Sequence, residues 1–409
     1  MNDIAVKHST VRLAGPAQGL TLVALGTLPT LALAGLVPVL PLFLQRFHAI
    51  AHADWYVPMV LTVPSVCVAL LSGPIGYASD CWGRRRLLLS ALAAFGLFGL
   101  APLLFSGLFA IIASRVAVGV AEAAILTLGN ALMGDYFDGH ARHRWLSLQV
   151  SIGPFVGSGF LLAGGALGGW RWNGPFLLYL FGFAVLLVCV FTLYEPARAA
   201  HAAPAEPPEV QPGAFPWLVA LQVGAVTLLV AVIYFVQAVQ HGRIFNDLGV
   251  LSPERISWVV TLASMGTVLG GLYYGWAGDR PITTLLAWVF TGFGVCYLAL
   301  SWVPDWRSGV LFDALGQFAG GMAIPALIAW ALSRYPFAHR GRGMGLWGAC
   351  FFLGQFLSPP VLSLIAHGQL NFLRSVGVLG GVSLVCALAA VLIGRRTRVR
   401  RPAVSGVGL

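Results

Sequence analysis

Three groups of polar residues interrupt long apolar stretches, and their types limit the chemistry they can do. Arg115 and Glu122 stand seven apart in Arg115-Val-Ala-Val-Gly119-Val-Ala-Glu122, which puts both on one helical face two turns apart. Asp313 and Gln317 are separated by one turn, and Tyr234, Gln237 and His241 share a second face. A charge in the middle of hydrocarbon costs at least roughly 2.5–3.5 kcal/mol, so an ionisable group kept there is a functional hypothesis by default. A carboxyl such as Glu122 can bind and release a proton. The alternative is structural: Arg115 and Glu122 lock the helix as a pair. Machinery for covalent chemistry is missing. The sequence has no His-Glu-x-x-His segment, no Walker A stretch and no Cys-x-x-Cys, and its nine histidines fall mainly at loops and termini. Neither an enzyme, a metal site nor a cofactor is expected. The six cysteines are dispersed and suggest no disulfide framework.

The elements that would hold these residues are membrane helices. Of 409 residues 58% are hydrophobic and 9% charged, whereas a soluble domain carries about a quarter charged. Each crossing needs about 20 apolar residues, and the apolar runs give twelve. The predicted spans are 18–46, 54–79, 85–106, 108–136, 144–168 and 173–195, then 216–243, 253–278, 281–303, 307–335, 343–366 and 371–394. On this count Glu122 sits about 20 Å deep, at 1.5 Å per residue from the far end of its helix. The net charge of +10 is not grouped as a nucleic-acid binder would group it. It is gathered in alternate loops: Arg84–Arg86, Arg142 with Arg144, Arg340 with Arg342, and the tail. That bias predicts both termini in the cytoplasm. Residues 1–195 form one six-helix bundle and 216–394 a second. A proline-rich linker at 196–215 joins them, and 395–409 is a basic cytoplasmic tail. The halves echo each other. Gly76-Tyr-Ala-Ser-Asp80 recurs as Gly275-Trp-Ala-Gly-Asp279 followed by Arg280, and Arg115 and Asp313 keep nearly the same offset.

The stretch Gly76-Tyr-Ala-Ser-Asp80-Cys-Trp-Gly83-Arg84-Arg85-Arg86 resembles the signature of the major facilitator superfamily between its second and third helices. Cys81 departs from it, where the family prefers a basic residue. The resemblance implies an all-α membrane protein of twelve transmembrane helices in two pseudo-symmetric six-helix bundles. It also implies a cytoplasmic gate built from Gly76, Asp80, Gly83, Arg84, Arg85 and Asp135, with Gly275, Asp279 and Arg280 as the second copy. In that fold helices one, four, seven and ten line a central cavity. Tyr234, Gln237, His241 and Gln317 thereby become substrate-binding candidates, and Glu122, Asp313 and Arg115 proton-coupling candidates. Gly153-Pro154-Phe155-Val156-Gly157 in helix five resembles the antiporter motif of the drug-exporting branch, with Ser158 where a second glycine is usual.

The expected function is therefore secondary active transport, a proton-coupled export of a small organic molecule by alternating access. The substrate is a drug-like amphipath, a secreted metabolite or a siderophore. An importer or uniporter on the same fold is the nearest alternative, and a non-transporting receptor a more distant one. The expected partners are a small-molecule substrate, protons and the lipid bilayer, without nucleic acid. The expected location is a bacterial inner membrane, and the expected state a monomer.

Overall fold

The computed structural model describes residues 14–195, 214–336, 339–366 and 371–399; residues 196–213, nearly all of the expected linker, and most of the expected tail lie outside it. Twelve helices among the described residues are long and apolar enough to cross a membrane. They are α1 (Pro16–Arg46), α2 (Ala53–Trp82), α3 (Arg84–Leu103), α4 (Leu108–Tyr136), α5 (Gly139–Trp170) and α6 (Gly174–Thr192) in the first half. The second half holds α7 (Trp217–Asp247), α8 (Pro253–Ala277), α9 (Ile282–Leu300), α10 (Trp306–Arg334), α11 (Arg340–Ala366) and α12 (Phe372–Val399).

Departures from the predicted spans have local causes. The first span is broken into Pro16–Leu25, Leu28–Ala34, a 3-10 turn at Val37–Val39 and Leu40–Arg46. Pro29, Pro38 and Pro41 each lack a backbone N–H, and Gly26 and Gly35 end segments, so one continuous ladder cannot form. α5 starts at Gly139 and takes in Arg142 and Arg144, and α12 runs on through Arg395 and Arg396. Basic side chains suit a helix C-terminus, which explains why α12 outlasts its apolar stretch.

The buried apolar residues form one cluster that runs through both halves, and the two main seams between the halves are α2 against α11 and α5 against α8. At the end opposite the Arg84–Arg86 loop the backbones touch. A Cβ on Gly165 would lie 2.7 Å from the Pro253 carbonyl oxygen, and one on Gly242 would lie 2.1 Å from that of Val37. Only glycine permits such an approach. At the arginine-rich end the halves diverge around a cavity of about 750 Å³ lined by α2, α4, α11 and the start of α7. Backbone contact joins the halves at one end, where a second cavity of about 800 Å³ is lined by His48, Asp54, Arg243 and Phe372, and the 750 Å³ cavity separates them at the other.

Candidate functional site

The buried charge of the first half is held by α4. Arg115 is fully buried, and its Nη2 donates to the carbonyls of Phe98 at 2.9 Å and Gly99 at 3.2 Å in the last turn of α3. The sequence explains the vacancy it fills: the residue four past Phe98 is Pro102, which has no N–H to offer. A cation also suits the negative end of a helix. Phe176 and Tyr179 of α6 complete the pocket, with the guanidinium 4.9 and 4.8 Å from their ring centres.

Arg115 does not pair with Glu122. Among the described residues no ion pair joins them, and Glu122 Oε2 is buried without a hydrogen-bond partner while the residue is 5% exposed. Glu122 lies one turn below Leu126, and Leu126, Thr127 and Asn130 line the open cavity. Glu122 is thus one helical turn from a cavity-lining residue but not part of the wall itself.

In the second half four sequence-predicted residues converge. Gln237 Nε2 donates to Asp313 Oδ1 at 2.6 Å and to its backbone carbonyl at 2.8 Å, and His241 Nε2 lies 3.2 Å from Asp313 Oδ1. Gln317 Nε2 is 3.1 Å from the same imidazole nitrogen, and Thr267 of α8 donates to Gln317 Oε1 at 2.7 Å. The Tyr297 hydroxyl donates to the Ile233 carbonyl and accepts from Gln237 N at 3.2 Å, so a side chain from α9 enters one turn of α7. Asp313 is fully buried. Tyr234 stands apart from this network, among Phe235, Phe293 and Phe351.

The expectation that these groups line the central cavity is not met in this conformation. None of Arg115, Glu122, Asp313, Tyr234, Gln237, His241 and Gln317 lines the 750 Å³ cavity; among the described residues the one charged side chain there is Arg342. The reason is that a buried polar group must find partners, and most of these find them inside their own half.

At the arginine-rich end the first-half motif is a built cluster. Arg84 pairs with Asp135. The carboxylate of Glu195 accepts from Arg84 N at 2.7 Å and Arg85 N at 3.0 Å, capping the start of α3. Gly83 precedes that start at φ +89°, a left-handed conformation that costs other residues. Arg85 reaches the carbonyls of Leu193 and Val190. The Asp80 side chain lies outside what the structure describes. The second copy is built differently: Arg280 lies over Trp276 and Trp288, at 5.6 and 5.0 Å. A Cβ on Gly76 would meet only Thr127 Cγ2, at 3.8 Å, and one on Gly275 or Gly153 would meet nothing within 4 Å. On Gly157 it would come 3.1 Å from Thr30 in α1. Pro154 sits inside the continuous helix α5.

Sequence reasoning missed Glu195 and the clasp at the end where the backbones touch. There Asp54 of α2 pairs with Arg243 of α7 at 2.8 Å, and Arg243 also lies 4.1 Å over Phe372. The signal for both was weak, because each is a lone charge at a helix end until the fold supplies its partner.

The chain matches the Major Facilitator Superfamily over residues 22–245 and 238–408 and belongs to it. It is 26% identical to the bacillibactin exporter of Bacillus subtilis, over 84% of this chain and 89% of that one. It is 29% identical to the 3-(3-hydroxy-phenyl)propionate transporter of Escherichia coli, over 81% and 84%. Against the class C tetracycline resistance protein of Escherichia coli it is 24% identical, over 89% and 93%. Among solved structures, a bacterial homologue of the human lysosomal transporter Spinster, inward-facing and unoccupied, superposes with a TM-score of 0.71 at 16% identity, covering 94% of this chain and 98% of that one. The chain is a multi-pass membrane transporter of small organic molecules, not an enzyme.

Proposed function

We propose that this transporter is proton-coupled, with Glu122 as the group that carries the proton. The observation behind this is the Glu122 carboxyl itself, buried with Oε2 unpartnered, one turn from a cavity-lining residue, while Arg115 is engaged elsewhere. An acid so placed is charged at a cost in one conformation and hydrated in the other, which is what a carrier of protons across a rocking interface requires. Asp313, buried and hydrogen-bonded, is the second candidate.

The direction proposed is export. The Gly153-Pro154-Phe155-Val156-Gly157 stretch supports it, as do the relatives named as a bacillibactin exporter and tetracycline resistance proteins. Import is the second reading, favoured by the relatives named for 3-(3-hydroxy-phenyl)propionate, 4-hydroxybenzoate and gallate transport. The arginine-rich loops support a bacterial inner membrane with both termini and the linker in the cytoplasm. On that orientation the open cavity faces inward. A single chain carries both halves, so it acts as a monomer. Asp80 and Arg84 act in the gate that closes the cytoplasmic end.

The test uses inverted vesicles energised with a proton gradient and supplied with radiolabelled tetracycline or 4-hydroxybenzoate. The parent accumulates at least one of them. Glu122→Gln keeps binding and downhill exchange but loses gradient-driven accumulation and its pH dependence. Uphill transport by the variant with unchanged pH dependence would assign the proton elsewhere, Asp313 first. Accumulation only in right-side-out vesicles would reverse the direction.

A further inference from the structure

The cavity between the halves has a chemical bias of its own. Its volume of about 750 Å³ falls in the range of pockets that hold drug-sized molecules. Phe215, Trp217 and Phe352 supply flat apolar surface, and Thr127 and Asn130 on α4 supply uncharged polar groups across from them. Among the described residues Arg342 is the only charged one in the lining, and no carboxylate lines it.

Among the described residues the Arg342 guanidinium makes no side-chain hydrogen bond or ion pair. Arg84 is paired with Asp135, Arg85 is tied to carbonyls at the end of α6, and Arg334 donates to Gln222. Among the described residues no acidic side chain lies within ion-pair distance of Arg342. Nor does it serve its own helix. It sits in the first turn of α11, where a cation opposes the helix dipole and an anion is favoured. A guanidinium presented to a carboxylate forms two parallel hydrogen bonds, and Arg342, exposed on the cavity lining, draws anions toward the cleft.

We infer that this cavity takes a small organic anion built on an aromatic ring, with Arg342 holding the acid group and Phe215, Trp217 and Phe352 contacting the ring. The ring gains contact area and offset or edge stacking. A cation of the same shape meets an uncompensated guanidinium, and a neutral molecule forgoes the charge-assisted bonds. This specificity deepens the transport reading and rests on it for its purpose. It does not depend on the direction of transport or on the proton site.

The experiment measures binding to purified protein by calorimetry with three probes of one shape: 2-naphthoate, 2-naphthamide and 2-naphthylmethylamine. Naphthoate should bind at least tenfold tighter than the other two. Arg342→Gln should reduce naphthoate to the affinity of the amide and leave the amide unchanged, which also reports that the variant is folded. Arg342→Lys should keep most of the preference. Equal or tighter binding of the amide or amine, a preference that survives Arg342→Gln, or binding of none of the three overturns the inference. Counterflow in proteoliposomes separates the two readings. Naphthoate bound but never exchanged sinks transport of this class while leaving the anion site, and exchange of the amine alone does the reverse.

Discussion

Arg115 and Asp313 occupy nearly equivalent positions in the two halves, and the halves resolve their buried charges in opposite ways. In the first half the cation is the better-partnered group, although its Nη1 is buried without a hydrogen-bond partner. Arg115 closes a carbonyl that Pro102 leaves open and lies against two rings, so the nearby acid, Glu122, is left without a counter-charge. In the second half the acid is the better-partnered group through Oδ1, gathered in by Gln237 and His241 from α7 and linked through Gln317 to α8, while its Oδ2 makes no hydrogen bond. The same divergence recurs at the arginine-rich end, where Arg84 has an acid and Arg280 has tryptophans. Duplicated positions thus keep their place in the fold while the two halves settle their buried charges with different partners.

The largest expected effect breaks the first-half solution. Arg115→Leu removes a buried cation and strands the carbonyl of Phe98. Leaving a buried acceptor unsatisfied costs about 1–3 kcal/mol and losing desolvated cation–π contacts about 2 kcal/mol more, so the variant should lose most of its folded yield in size-exclusion chromatography. A variant as stable as the parent would show that the carbonyls are satisfied without Arg115. Next, Asp313→Asn keeps the shape and some hydrogen bonds of the second-half network. It should lower stability by about 1–3 kcal/mol through impaired bonding to Gln237 and His241, measured as a shift in thermal unfolding, while gradient-driven transport keeps its pH dependence. Loss of that dependence to the same degree as in Glu122→Gln would erase the contrast between the halves.

How much of this contrast the sequence displays follows from the range of each interaction. Hydropathy and loop charge marked all twelve helices, because each needs only its own residues to show its period and length. The Arg115–Glu122 spacing was visible too, but geometry on one helix says nothing about which neighbours compete. Arg115 is claimed by residues on α3 and α6, 16 or 17 positions away in one case and over 60 in the other. Asp313, Gln237, His241 and Gln317 each stood out as polar residues in apolar surroundings, yet their union in one network depends on how α7 and α10 pack. Glu195 gave no signal because it lies 110 residues from the backbone amides it caps. Arg342 looked like one more loop arginine until the cavity gave it a wall to line.

A smaller effect sharpens the comparison at the arginine-rich end. Glu195→Gln leaves a side chain that can accept only through one oxygen and removes the negative charge beside the N-terminus of α3. Losing a cap of this kind costs about 1 kcal/mol, visible as a modest fall in melting temperature with substrate binding unchanged. If Glu195→Gln matches the parent in both stability and turnover, the first-half cluster is no more built than its copy.

The smallest effect should come from Arg280→Ala in that copy. The guanidinium lies over Trp276 and Trp288, and Trp276 is 71% exposed, so the interaction is set against lipid headgroups or water and not in a sealed core. Exposed cation–π contacts contribute about 0.5–1 kcal/mol. Arg84→Ala, by contrast, leaves Asp135 without its cation at a helix junction whose glycine is held at φ +89°. Turnover in vesicles should therefore fall clearly for Arg84→Ala and remain within about twofold of the parent for Arg280→Ala, on an order-of-magnitude reading of that energy. Equal losses would mean that the tryptophan-backed arginine closes the gate as much as the acid-paired one. The two halves would then differ in chemistry but not in function at this end, and the asymmetry would be confined to the buried charges.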